Sequence, residues 1–333
     1  MICVPFVVTG ICGSSKGMTL DYNLHGLIAC NGLIWRIMSD PGPAQLAAIS
    51  GLFSSGVIRE MARKGRSSLF RKLACQTLLH EIVPNSECVS AIFEAAFAVL
   101  KREGLRNEYI YKAALAHNVL LGTHSLNTAT MLCEFRVGQC KADLAILNGT
   151  ATVYEVKSER DSLARLERQI AAYRKVFARA YVITAESHIN GVLDSVPSDV
   201  GILVLSRRDQ ITTMREAVDC PDRTSSSAIF ESMRTEEARL ILQLLGLQIP
   251  AVPNTKLRCV LGELFAKLDP RTAHDGMVKV LKRTRNLLPL SDLVENLPRS
   301  LHAAALSIPI RRTDHLRLIT AVNTPIEDAM SWA

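Results

Sequence analysis

The sequence holds no run approaching the roughly 18 apolar residues that a helix needs to cross a bilayer, so it gives no sign of a helical membrane span. It has no C-x-x-C pair. Its nine cysteines are scattered and odd in number, which argues against a structural zinc site or a disulfide framework and fits reduced thiols in a cytoplasm. The apolar N-terminus lacks the basic stretch that opens a secretory signal. No Walker A glycine loop occurs, so no ATPase is visible in this chain, and no internal repeat recurs.

The composition is that of a globular protein. The 333 residues are 48% hydrophobic and 21% charged, enough for sizeable cores in about two or three domains. Lys and Arg number 39 against 32 Asp and Glu, a net charge of +7. That excess is compatible with a polyanionic partner such as nucleic acid.

Along the chain the character changes several times. Residues 1–37 show neither helical nor strand periodicity, and at Met38-Ser39-Asp40-Pro41 the sequence begins to look like a natural start. We expect 1–37 to be an extension ahead of the true initiator, Met38. Residues 38–103 read as helical, with Leu46, Ile49, Leu52, Val57, Ile58 and Met61 on one stripe. Gly65 breaks a helix there and Ser67-Ser68 can cap the next. The basic residues Arg59, Arg63, Lys64, Arg66, Arg71 and Lys72 flank this break. They fit either a helix-turn-helix DNA reader or the solvated face of a bundle.

Residues 104–206 read as a mixed α/β core. A helix is expected at about 107–120, then strands at 131–137, 141–146 and 150–157. A long helix at 162–178, a strand at 180–184, a short helix near 189–193 and a strand at 200–205 follow. Residues 207–228 read as a linker and 229–333 as a helical C-terminal domain.

Candidate chemistry sits in the central strands. Side chains alternate across a strand, so Glu155 and Lys157 share a face. A three-residue turn, Leu147-Asn148-Gly149, with Gly149 left-handed, pairs Ile146 with Thr150. That register sets Asp143 opposite Val153 and diagonal to Glu155 on the same face, with Leu144, Ile146, Tyr154 and Val156 on the other. Two carboxylates so gathered suit Mg²⁺ or Mn²⁺, which can activate water and neutralise phosphate charge. Lys157 can orient the water and stabilise the transition state. The competing reading is an exposed strand face carrying a salt bridge. On the following helix Arg165, Gln169 and Tyr173 recur at four-residue steps, a ridge suited to positioning a nucleic-acid strand. Lys141 and, in a loop, His124 can touch phosphate. A structural hydrogen bond is the competing role for His124, and an ion pair with Arg136 or Lys141 is the competing role for Glu134.

Asp143…Glu155-Val156-Lys157 followed by Gln169-x-x-x-Tyr173 resembles the PD-(D/E)XK nuclease superfamily, closest to RecB-like domains. The wider chain also resembles a bacterial family of uncharacterised proteins, through residues 107–112, 122–129, 134–157 and 297–301. The resemblance implies a restriction-endonuclease-like α/β core: a central mixed sheet flanked by helices, here with N- and C-terminal helical regions. It implies divalent-metal phosphodiester cleavage, with Asp143, Glu155 and Lys157 catalytic. Asp143, Glu155 and the Val156 backbone carbonyl would be metal ligands, with Glu108 from the first helix and Glu134 as further ones. The family's proline is replaced by Ala142. DNA is the expected substrate, with defence against foreign DNA one setting, and a partner protein or homodimer is compatible. The alternatives are a catalytically degenerate nucleic-acid-binding protein of the same fold, or a regulatory protein that acts through a partner.

Overall fold

Six strands form one mixed sheet in strict chain order, β1 to β6. The computed structural model describes residues 40–333, of which Pro41–Ala333 cluster as one unit. The expectations for residues 1–37 and Met38 lie outside the described residues.

The described chain opens with five helices: α1 (Pro43–Leu52), α2 (Ser55–Lys64), α3 (Ser68–Thr77), α4 (Leu79–Ile82) and α5 (Val89–Leu100). The punctuation read from sequence holds here. Gly65 ends α2 in the left-handed region at φ 71°, where glycine has no Cβ to clash. The Ser67 hydroxyl accepts the Phe70 amide and caps α3. A sixth helix, α6 (Glu108–Leu115), is capped by Asn107 and runs on as a π-helical segment, Ala116–Leu121.

The sheet follows. The strands β1 (Thr130–Val137), β2 (Cys140–Asn148) and β3 (Thr150–Lys157) form an antiparallel meander. The helix α7 (Leu166–Tyr173) crosses to β4 (Arg179–Thr184), which lies parallel to β3. A parallel neighbour requires such a crossover, because a tight turn can only reverse the chain. The short helix α8 (Ile189–Ser195) leads to β5 (Gly201–Leu205), again parallel, and a hairpin adds β6 (Ile211–Arg215) antiparallel. The fold is therefore α/β, as expected from the sequence, with two parallel pairs inside an otherwise antiparallel sheet. The segment read as a linker carries β6 and the start of the next helix. The long helix read at 162–178 is confined to α7.

The chain closes with α9 (Ser226–Ser232), α10 (Thr235–Leu244), α11 (Asn254–Phe265), α12 (Pro270–Thr284), α13 (Ser291–Glu295), α14 (His302–Ser307), α15 (His315–Val322) and α16 (Ile326–Ala329). Of these, α9 to α12 share a core with the sheet. One apolar cluster joins Leu132 and Phe135 of β1, Leu147 of β2, Ile170 of α7, Ile241 of α10 and Leu281 of α12. A buried ion pair pins the join: Arg285 donates to both oxygens of Glu237 at 2.8 and 2.9 Å, and its guanidinium stacks over Phe135. A second cluster, aromatic, ties the N-terminal helices to α6 and to the far C-terminus. It contains the stacked pair Phe53–Tyr109, with centroids 4.5 Å apart, and Phe70 against Trp332.

Candidate functional site

The β2–β3 turn decides which side chains meet. The ladder runs to Asn148 opposite Thr150, and Gly149 alone, at φ 73°, turns the chain between them. The turn is thus one residue later than expected, and the register differs by two. Carried one step past Leu144↔Tyr154, it sets Asp143 opposite Glu155 rather than opposite Val153. An even shift leaves every side chain on its expected face, so Asp143, Glu155 and Lys157 do share one. On that face Ala145, Leu147, Ala151 and Val153 lie in the apolar core beneath α7 and the C-terminal helices. The polar trio stands where this core gives way to a cleft.

The cleft has a volume of about 290 Å³ and is lined by Glu108, Lys141, Asp143, Glu155, Lys157 and Arg165, among others. Glu155 and Lys157 are only 2% and 4% exposed, which rules out the exposed-strand reading. The Lys157 ammonium donates to Glu155 Oε1 at 2.9 Å and to Gln169 Oε1 at 3.0 Å. Gln169 Nε2 donates to Glu155 Oε1 at 2.5 Å, and the Tyr173 hydroxyl donates to Glu155 Oε2 at 2.9 Å. Asp143 Oδ2 accepts the Val156 amide at 2.8 Å. Burial, and then the charge of Glu155, push the Asp143 carboxyl up to about 8.

A second group of carboxylates meets Asp143 from outside the β2–β3 pair. Single oxygens of Glu108, Glu134 and Asp143 lie within 4.8 Å of one another. Glu108 comes from the first turn of α6. Glu134 reaches the group through a left-handed backbone at φ 55°, where the β1–β2 ladder skips one pair. That conformation costs a non-glycine residue about 1–2 kcal/mol, and such outliers concentrate at functional sites.

Lys112 stands between these acids. It pairs with Glu108 and, at 2.8 Å, with Glu134. Burial pulls its ammonium down, but the two carboxylates outweigh burial and hold it above its ordinary value. Lys141 pairs with Glu134 at 2.9 Å. Burial pushes the Glu134 carboxyl up, yet the two lysines hold it below the usual range.

Several expected roles change. Tyr173 is fully buried, and its hydroxyl bridges Glu155 and the Lys141 carbonyl. Gln169 likewise turns inward. The ridge expected to face nucleic acid therefore holds Glu155 and Lys157 in place, and only Arg165 of the three lies exposed at the mouth. The reason is that α7 lies directly on the sheet, so the Gln169–Tyr173 row flanks its apolar stripe instead of opposing it. His124 does not line the cleft. Its Nδ1 accepts from Asn148 Nδ2 at 2.8 Å, which is the structural role the sequence left open. Glu134 pairs with Lys112 and Lys141, whereas Arg136 turns to the Gly138 carbonyl. Sequence reasoning missed Lys112, whose signal is its i, i+4 spacing from Glu108. It also missed Arg168 and Asp161 at the cleft wall; Asp161 accepts the Ser158 amide and hydroxyl.

The Asp143 geometry makes a stability prediction. Its folded pKa lies above the unfolded value, so the folded state keeps a proton that the unfolded state sheds between about pH 4 and pH 8. Stability without metal should fall as pH rises through that window. Asp143→Asn should flatten the slope and raise stability at pH 9 by on the order of 1–3 kcal/mol, read by urea unfolding at several pH values. A variant less stable than wild type throughout would show that the carboxylate is not repelled in the cleft.

The described residues thus form an α/β protein whose sheet carries a carboxylate–lysine cleft under one helix. The model of the family Bacteriophage P4 protein cII matches residues 101–286. The chain belongs to that family, and the matched segment contains the whole cleft. Protein cII of Enterobacteria phage P4 is 33% identical over 98 residues, covering 29% of this chain. The match spans 33% of that relative's length. A protein of unknown function from Silicibacter pomeroyi aligns over 35% of this chain and 80% of its own, at 19% identity and a TM-score of 0.25. No described helix is long and apolar enough to cross a membrane.

Proposed function

We propose that the protein is a divalent-metal-dependent nuclease of PD-(D/E)XK type, acting on nucleic acid and most readily on DNA. One observation carries the reading. Asp143, Glu155 and Lys157 converge from adjacent strands in a cleft that also gathers the carboxylate of Glu108. The donor set fits a hard cation: carboxylate oxygens are what Mg²⁺ and Mn²⁺ prefer. Burial first, and then the charge of Glu155, raise the proton affinity of Asp143, and a cation would offset the second of these. Asp143 and Glu155 would hold the metal, with the Val156 carbonyl and Glu108 as further ligands and Glu134 as an outer one. When bound, Mg²⁺ or Mn²⁺ supplies Lewis acidity toward a phosphate and a more acidic bound water.

The chain's own residues supply positioning. The Val156 amide fixes one oxygen of Asp143. Gln169 and Tyr173 orient Glu155. Lys157 is held at the same carboxylate, placed to stabilise negative charge that develops on a phosphate. The exposed guanidinium groups of Arg165 and Arg168 at the mouth attract the backbone.

A second reading is a nucleic-acid-binding or partner-dependent regulatory protein with an idle cleft. It is favoured by the saturation of Glu155, whose two oxygens are both occupied by Lys157, Gln169 and Tyr173. The test is cleavage of labelled single- and double-stranded DNA and RNA with Mg²⁺ or Mn²⁺ by wild type, Asp143→Asn and Lys157→Ala. Metal-dependent cutting by wild type, reduced at least about 100-fold in both variants, is the expected result for loss of groups of this kind. Binding without cutting of any substrate would leave the second reading.

A further inference from the structure

A hollow larger than the carboxylate cleft lies elsewhere on the described surface. It is a groove of about 1020 Å³ between α2 and α3, outside the segment that the family model matches. Its walls carry Arg59, Arg63, Lys64, Arg71 and Lys72, all exposed, against the single carboxylate of Glu60. The groove thus concentrates four of the chain's net seven positive charges. An adjoining hollow of about 300 Å³ is shared by Arg59, Arg63 and Arg311, with Asp314, itself paired to Arg317, as its one carboxylate, and it extends the positive strip toward the C-terminal helices.

Local structure explains the convergence. Arg59 and Arg63 are one turn apart on α2, and the Gly65–Ser67 turn folds α3 back so that Arg71 and Lys72 face the same hollow. Glu60 does not neutralise the strip. It accepts from Lys64 at 2.9 Å, from the Ser67 hydroxyl at 2.7 Å and from the Leu69 amide. These bonds hold its carboxyl down at about 2 and spend it on the α2–α3 corner. Among the described residues no carboxylate forms an ion pair with Arg59, Arg63, Arg71 or Lys72. Other arginines of the fold are paired, as with Arg174–Asp199, Arg271–Asp222 and Arg285–Glu237. Like charges one helical turn apart repel by a few tenths of a kcal/mol. A solvated face gains nothing from that cost, whereas a polyanion offsets it.

We infer that this groove docks the phosphate backbone of a nucleic acid, by charge rather than by reading bases. Its concavity favours a strand or a duplex edge over a lipid surface, since a flat bilayer cannot follow a hollow of this volume to its floor. The inference stands apart from the cleavage reading, because docking is measured without metal.

The experiment uses the full chain in EDTA and the anisotropy of a short labelled DNA duplex across a salt series. Wild type is compared with the triple variant Arg59→Ala, Arg63→Ala, Arg71→Ala. Each lost phosphate contact should reduce the slope of log K against log salt by about 0.9. The triple variant should therefore lose about 2–3 units of slope and about 10- to 100-fold in affinity at low salt. The matching Arg→Lys triple should keep most of the affinity, because a backbone contact needs charge more than a fork of donors. These side chains are exposed and make no hydrogen bonds to described residues, so thermal melts of both variants should match wild type. An unchanged slope in the alanine variant overturns the inference. So does loss of binding in the lysine variant, or wild type that binds phosphatidylserine vesicles but not the duplex.

Discussion

Lys157→Ala is expected to cost the fold about 3–5 kcal/mol, the usual price of leaving one member of a buried ion pair behind. The remaining Glu155 is 2% exposed and would lose the one cation bonded to it among the described residues. Gln169 would lose a donor at the same time. Glu155→Gln combined with Lys157→Met should be much less harmful than either single change, because no charge is then stranded. Urea unfolding of the two single variants and the double variant measures the coupling. A Lys157→Ala variant within about 1 kcal/mol of wild type would mean that water or a proton reaches Glu155 freely, against its burial. The cleft would then be too wet to hold its carboxylates as described.

Gly201→Ala is the second large effect. Gly201 pairs with Tyr181 across β4 and β5, and a Cβ at position 201 would sit 2.2 Å from a ring carbon of Tyr181 and 2.8 Å from the Ala217 amide nitrogen. The ring has little freedom to retreat. It stacks on Tyr154 with centroids 5.5 Å apart, and its hydroxyl donates to Glu216 at 2.6 Å. Overpacking of this kind reaches about 3 kcal/mol. A thermal melt should drop accordingly, and Tyr181→Leu in the same chain should recover part of the loss through non-additivity. A neutral Gly201→Ala would show that the β4–β5 pair can slide apart at this point.

Much of this arrangement was legible in the sequence because it depends on local pattern. Thr150–Lys157 is a strand at the expected bounds, since alternating β-branched and aromatic residues end against Asn148-Gly149. The shared face of Glu155 and Lys157 followed from period two alone, and that of Asp143 from a left-handed Gly149 in the turn. The register did not, because turns centred on Asn148 or on Gly149 satisfy the same alternation. The inward turn of Gln169 and Tyr173 was hidden for a related reason: spacing says which residues form a row, not which neighbour the row meets. Strand β6 was missed because Ile211-Thr-Thr-Met-Arg215 is short and largely exposed at a sheet edge, so it shows neither alternation nor an apolar run. Glu108 and Glu134 were expected beside Asp143 only through the resemblance, and the placing of Lys112 among them needed the third dimension altogether.

The aromatic cluster at the ends of the described chain bears on how the protein is made. Arg317 donates to the Ala62 carbonyl across 255 residues of sequence, Cys88 bridges to Pro325, and Phe70 waits for Trp332. The β1–β3 meander, by contrast, finds its partners within a single short stretch of chain. On a ribosome the helices α1 to α5 emerge first but gain their final cover last, after the sheet can already have formed. During that interval Phe70 has Phe93 but not Trp332 against it, and its open side is accessible to chaperones and proteases. Changes at Arg317, Pro325 or Trp332, which cover the N-terminal helices, should therefore lower the cellular yield although they lie far in sequence from the cleft.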